Sequence, residues 1–178
     1  MTTEIAPSLR RLYFVRFAFA LVWAGLLFVT ASSLGPVSVA LLVLYPLFDV
    51  AAALVDARTS RTGTLYVNVV ISLLAAAGLA VAAASGIPGV LRVWGAWAIV
   101  AGVVQLVVGV ARRALGGQWP MILSGGISVL AGASFVFQAT KDGASLAPLA
   151  GYATLGGVFF LVSALRLGTR DRRAAQVG

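Results

Sequence analysis

Six runs of about 20 apolar residues, separated by short connectors, dominate this sequence. A helix needs about 20 mainly apolar residues to cross the hydrocarbon core of a bilayer. The runs and their connectors use nearly all of the 178 residues, so no soluble catalytic domain is expected. The pattern predicts an all-α membrane protein with six transmembrane helices. The predicted spans are Leu12 to Ser33, Pro36 to Val55, Thr64 to Ala84, Pro88 to Ala111, Trp119 to Ala139 and Leu146 to Leu167.

The composition excludes several classes of chemistry. Hydrophobic residues make up 61% of the chain and charged residues 10%, a balance that water-soluble domains of this size do not have. The sequence has no Cys and no His, which excludes thiol nucleophiles, His-based proton relays and Cys/His metal sites. It also has no glycine-rich phosphate loop followed by Lys. We therefore predict no enzymatic activity, no catalytic residues, no cofactor and no metal.

The basic residues predict the orientation of the chain in the membrane. The formal net charge is +8, and the thirteen basic residues lie mainly at the ends of the apolar runs. Lys and Arg are preferentially retained on the cytoplasmic side, so we expect both termini to be cytoplasmic and anionic headgroups to be partners there. We expect no nucleic-acid partner. Eleven residues lie on the side of the termini, and Arg92 and Lys141 lie opposite; the eleven are Arg10, Arg11, Arg16, Arg58, Arg61, Arg112, Arg113, Arg166, Arg170, Arg172 and Arg173.

An internal repeat of 54 residues runs through the sequence. Arg58, Arg112 and Arg166 follow this spacing, and the same offset relates Gly102 to Gly156. Such self-similarity predicts repeated structural units, here three parallel-repeat helical hairpins. The predicted hairpins are 12–55, 64–111 and 119–167, within a membrane domain of 12–168 that has a 1–11 cytoplasmic segment before it and a 169–178 cytoplasmic basic tail after it.

Small residues recur at helical spacing in the fourth and fifth spans. Gly95, Gly102 and Gly109 line one face of the fourth, and Gly125 and Gly132 one face of the fifth. Small residues allow the close backbone approach through which membrane helices associate. We predict a helix-packing stripe, and the pattern leaves open whether it packs within the bundle, against a second copy or against a membrane protein partner. Tryptophans near span ends are predicted as interfacial anchors: Trp23, Trp94, Trp97 and Trp119.

Asp49 is the one acidic residue inside a predicted span. Ionisable residues within membranes face a partner, the bundle interior or a water-filled cavity. Arg16, entering the first span from the same side, is the natural partner, and Asn68 and Gln105 are predicted at a similar depth. Two interpretations follow, a structural ion pair with Arg16 or a site that binds a proton or a small solute.

The repeat resembles a known family. Trp97-Ala-Ile-Val-Ala-Gly102-Val-Val-Gln105 running to Arg112-Arg113, followed by Trp119-Pro-Met-Ile-Leu-Ser-Gly-Gly, is similar to the HdeD family of bacterial acid-resistance membrane proteins, which consist of a short two-helix repeat. The resemblance covers residues 64–167 well and the first hairpin by length and topology alone. It implies a multi-pass protein of the bacterial cytoplasmic (inner) membrane, linked to stress or acid tolerance, and supplies no catalytic residues.

Two hypotheses about function follow. The first is a non-enzymatic membrane-organising or stress- and acid-tolerance factor, acting through a homo-oligomer or a partner protein. The second is a small transporter or channel for protons or a small solute, using a polar layer around Asp49.

Overall fold

A computed structural model describes residues 5–60, 65–111, 113–115 and 119–177, and side chains within 8–58, 65–111, 113–114 and 119–168. Several predicted features lie outside the described residues: the start of the third span at Thr64, Arg61 and Arg112, and the side chains of Arg170, Arg172 and Arg173. The described backbone is all-helical and contains no β-strand. Its α-helices are α1 Ile5–Val29, α2 Pro36–Ser60, α3 Leu65–Ala82, α4 Gly86–Ala111, α5 Trp119–Gln138 and α6 Ala147–Val177.

The prediction of six separate apolar spans is corrected in its count. Within the described ranges, five helical segments are long and apolar enough to cross a membrane. Predicted spans three and four belong to one continuous helical run, Leu65–Ala111, in which a 3-10 turn at Ala83–Ser85 connects α3 to α4. The sequence Ala82-Ala-Ala-Ser85 contains no residue that ends a helix, so helical structure continues through the predicted gap between Ala84 and Pro88. The five segments indicate a multi-pass membrane protein.

The run Leu65–Ala111 bends sharply at Gly86. Gly86 has φ 76° and ψ −173°, a backbone conformation that is open essentially to glycine alone. A Cβ placed on Gly78 would lie 3.1 Å from Cγ1 of Val93, whereas residues this far apart in a straight helix are separated by about 22 Å. Helices α3 and α4 therefore fold back on each other.

The helices pack in pairs that differ from the predicted hairpins. The most extensive packing joins α4 with α5, α1 with α6, and α2 with α3. Contacts within the predicted hairpins, between α1 and α2, between α3 and α4, or between α5 and α6, are smaller. At the end of the bundle away from the termini, the backbone N–H of Leu146 donates to the carbonyl of Ala31 at 3.0 Å, which holds the start of α6 beside the end of α1.

The buried core lies in the half of the bundle away from the termini. Trp23 and Trp94 are about 1% or less exposed and stack with ring centroids 5.4 Å apart, and Leu27, Leu91 and Leu149 are buried around them. The prediction that Trp23 and Trp94 are interfacial anchors is therefore wrong, because aromatic packing against α2 buries them. Trp119, 77% exposed, lies at the start of α5.

Large apolar side chains are exposed on every α-helix of the described structure. Examples are Phe28 at 66%, Leu74 at 69%, Val81 at 76% and Leu130 at 73% exposure. Exposed apolar surface of this extent requires a partner or lipid to cover it. The faces that point away from the core are thus suited to lipid.

Candidate functional site

A proline in the middle of α2 precedes the candidate site. Pro46 is buried and has no backbone N–H, so the carbonyl of Leu42 lacks its usual helical donor, although α2 continues through this point. One residue earlier, the carbonyl of Leu41 accepts a hydrogen bond from Nε1 of Trp23 at 2.6 Å. This contact fixes α1 against α2 about two turns from Asp49.

The carboxylate of Asp49 accepts hydrogen bonds from three side chains. Oδ1 pairs with the guanidinium of Arg16. Oδ2 accepts from Nδ2 of Asn68 and from Oγ of Ser72, both at 2.8 Å. Asn68 and Ser72 are four residues apart on α3 and so present their side chains on one face. We call these four residues the Asp49 cluster; it connects α1, α2 and α3.

The Asp49 cluster is largely shielded from its surroundings. The side chains of Arg16 and Asp49 are 15% and 14% exposed, and Ser72 is fully buried. A buried charge is tolerated when it is paired and its remaining acceptors are hydrogen-bonded. Both conditions hold for Asp49, because each of its oxygens has at least one donor.

The guanidinium of Arg16 also contacts α6. Its Cζ lies 4.2 Å from the centroid of the Phe160 ring, a distance typical of a cation–π interaction. Phe160 in turn lies 6.0 Å from the ring of Tyr13. Through Arg16, the Asp49 cluster thus contacts four of the helices.

The space beside the carboxylate is very small. A cavity of about 10 Å³ is lined by Arg16, Asp49 and the aromatic residues Phe19, Tyr45, Phe48 and Phe160. About 10–15 Å³ is the minimum that holds one water molecule. Phe19 and Phe48 close one side by stacking at 3.7 Å between centroids. The cavity has room for at most one water, which is far less than a solute pathway requires.

Of the four predicted polar residues, three are in direct contact, and Gln105 is not among them. Arg16, Asp49 and Asn68 lie in direct contact. Gln105 is not among the donors to Asp49, and its Oε1 is buried without a hydrogen-bond partner in the described structure. Sequence reasoning missed Ser72, although its position four residues after Asn68 is the signal that could have identified it.

The predicted glycine stripe lies inside the interface between α4 and α5. A Cβ placed on Gly102 would lie 2.7 Å from the carbonyl oxygen of Gly125, and one on Gly95 would lie 2.6 Å from that of Gly132. A Cβ on Gly109 would lie 2.8 Å from Cγ1 of Ile122. Since this approach is possible only without side chains, the stripe is used within the chain, between two antiparallel helices.

The geometry of the Asp49 cluster suits the holding of helices better than catalysis. The described residues contain no group of three or more His, Cys, Asp or Glu side chains that could hold a metal ion. General acid–base work would need a titratable group within hydrogen-bond reach of a bound substrate, and the cavity beside Asp49 has no room for one.

Comparisons with known proteins assign no family to this chain. No protein-family model, no curated protein and no solved structure matches it.

Proposed function

We propose that this chain is a non-enzymatic membrane protein in which the Asp49 cluster is a structural clamp. The observation that carries the proposal is that both oxygens of the Asp49 carboxylate accept hydrogen bonds, from Arg16, Asn68 and Ser72. A carboxylate that accepts hydrogen bonds from a guanidinium and two neutral donors on two other helices is held in one fixed geometry. The small cavity beside it also supports a static role.

A double-mutant cycle tests the clamp. We expect Asp49→Asn and Arg16→Gln each to lower the free energy of unfolding in detergent, because each leaves the other partner without its counter-ion, a loss of up to about 3–5 kcal/mol for a buried pair. The double variant should show a coupling energy of about 1–3 kcal/mol. Additive effects of the two substitutions would mean that the ion pair does not stabilise the protein.

We further propose six membrane crossings with both termini in the cytoplasm. The run Leu65–Ala111 would span about 70 Å if it were straight, more than twice the hydrocarbon thickness of about 30 Å. The bend at Gly86 supports two crossings in opposite directions. The excess of arginines on the side of the termini supports the orientation.

Single-cysteine labelling in intact cells tests this topology, since the natural chain has no Cys. We expect an impermeant thiol reagent to label Ser32→Cys, Ser85→Cys and Asp142→Cys from outside, because all three residues are exposed at connectors. Ala114→Cys should be labelled only after the cells are opened. Protection of Ser85→Cys in both conditions would contradict two crossings by α3 and α4.

The physiological role that we propose is membrane organisation or tolerance of stress, including acid stress, in a bacterial cytoplasmic membrane. The resemblance of residues 64–167 to the HdeD family supports it. The glycine stripe gives no support to a homo-oligomer, because α4 and α5 bury it against each other. Bacteria that express the chain should survive acid exposure better than those that express a clamp variant at the same level, and equal survival would contradict the proposal.

The transporter hypothesis rests on the same carboxylate and predicts a different result. A conducting Asp49 would give proton or solute flux in liposomes that Asp49→Asn abolishes. We expect flux no greater than in protein-free liposomes, because the cavity beside Asp49 is about the size of one water. A flux that depends on Asp49 would show that the cluster opens and would contradict a static clamp.

A further inference from the structure

A groove along the first half of α1 combines charge and apolar surface. It has a volume of about 430 Å³ and is lined by Arg10, Arg11, Phe14, Val15 and Ala18. It is a shallow and open surface feature, and all of its lining residues belong to α1. The lining residues follow one side of the helix over about 12 Å, with both arginines at one end and apolar residues at the other.

The two arginines have no acidic partner in the described part of the chain. The ion pair seen among the described side chains uses Arg16 and Asp49 instead. Arg11 is exposed, and Nε of Arg10 is buried without a hydrogen-bond partner. The exposed guanidinium of Arg11 and the neighbouring charge of Arg10 make the groove electrostatically suited to an anion.

Arg10 is held in place from two sides. Its Cζ lies 5.6 Å from the centroid of the Phe14 ring. On the other side, a Cβ placed on Gly168 of α6 would lie 2.9 Å from the same Cζ and 3.0 Å from Nε. The guanidinium therefore rests against the backbone of α6 because residue 168 has no side chain.

The apolar end of the groove identifies the class of anion. Val15 is 48% exposed and Ala18 is also exposed, in a helix that is apolar enough to span a membrane. A free phosphate or an acidic peptide would leave this apolar surface uncovered. A phospholipid would place its phosphate near the arginines and lay an acyl chain along Phe14, Val15 and Ala18.

We propose that this groove binds one anionic phospholipid of the leaflet in which α1 begins. Arg10 and Arg11 contact the headgroup phosphate, and Gly168 positions Arg10. The site is separate from the Asp49 cluster, so its test does not depend on the clamp.

Native mass spectrometry of the full chain in mild detergent, titrated with phosphatidylglycerol or phosphatidylcholine, tests the site. We expect tighter binding of phosphatidylglycerol and about fivefold weaker binding for Arg11→Gln, the change that corresponds to ~1 kcal/mol per basic residue at a bilayer surface. Arg113→Gln is the matched control, since Arg113 is also exposed but lies outside the groove, and it should bind as the parent does.

A second pair of variants leaves every arginine in place. Gly168→Ala should weaken binding of phosphatidylglycerol, because the added methyl would displace the guanidinium of Arg10 from its place against α6. Gly156→Ala on the same helix, where a Cβ meets nothing within 4 Å, should not. Equal affinity for the two lipids, equal loss in a control and its variant, or displacement of the lipid by inorganic phosphate would each overturn the proposal.

Discussion

A carboxylate inside an apolar helix is destabilising unless its neighbours supply a counter-charge and hydrogen-bond donors. The neighbours of Asp49 supply both. Arg16 supplies the counter-charge, and Asn68 and Ser72 supply neutral donors from a third helix. Hydrogen bonds to charged groups contribute about 1.5–3 kcal/mol each, more than neutral pairs. The individual donors should therefore be measurable one at a time.

Ser72 is the donor that can be removed with the least change in shape. We expect Ser72→Ala to lower the free energy of unfolding by about 1.5–3 kcal/mol, because the fully buried hydroxyl donates to a charged acceptor. The matched control is Ser163→Ala, whose hydroxyl donates at 2.8 Å to the carbonyl of Phe159 in its own helix. Detergent titration of unfolding would measure both; a similar effect of the two substitutions would contradict the special role of Ser72.

At the scale of single residues, the sequence predicted those contact partners of Asp49 that could be inferred from their depth along the spans. The level of Asp49 in its span indicated Arg16 and Asn68, and both contact it. Ser72 was missed because serines in membrane helices commonly bond to a carbonyl of their own helix, as Ser163 does. Gln105 shows the limit of depth alone, since a residue on α4 can share the level of Asp49 and still face elsewhere.

Among the elements, α4 and α5 form the closest pair, and glycines are the reason. Their backbones approach so closely that a Cβ on Gly125 would lie 2.7 Å from the carbonyl oxygen of Gly102. Such contact replaces the hydrophobic drive that lipid does not supply. The sequence pattern predicted the stripe. It did not predict which helix packs against the stripe, because that depends on the three-dimensional arrangement.

We expect Gly102→Ala to destabilise the protein by about 1–3 kcal/mol, the cost of overpacking a close interface. The methyl would meet a backbone oxygen, which cannot rotate away as a flexible side chain would. The control is Gly126→Ala on α5, where the methyl meets nothing within 4 Å and alanine's higher helix propensity should leave stability equal or greater. Thermal unfolding in detergent would compare them, and equal midpoints would argue against close packing of α4 on α5.

The whole molecule is organised as three closely packed helix pairs, which are joined by smaller helix contacts and by a shared core. Arg16 is central to this arrangement, because it belongs to the α1/α6 pair and binds Asp49 of the α2/α3 pair. The predicted hairpins could not reveal these pairs, since hydropathy and turn residues report where helices begin and end. Which helices pack most closely depends on side-chain shape over several turns.

Phe160 tests how the pairs are connected. Phe160→Leu should lower the free energy of unfolding by about 0.5–2 kcal/mol beyond the loss of apolar packing, because the ring faces the guanidinium of Arg16 at 4.2 Å. Phe159→Leu, a half-buried neighbour, controls for apolar packing. The difference in destabilisation between Phe160→Leu and Phe159→Leu should vanish when each is made separately in an Arg16→Gln background. A difference that persists there would exclude the cation–π contact as its cause.

The packing of α1 against α6 also determines how the chain could be circularly permuted. Because these antiparallel helices bring Arg10 beside Gly168, a short linker at one end of the bundle can join the tail of α6 to the head of α1. A circular permutant opened between Ser60 and Leu65 would keep the direction of each helix and begin with α3. In this permutant α3 and α4, the helices on either side of the Gly86 bend, would be synthesised first. The order in which the helices leave the ribosome would change, while the neighbours of each helix in the folded protein would stay the same.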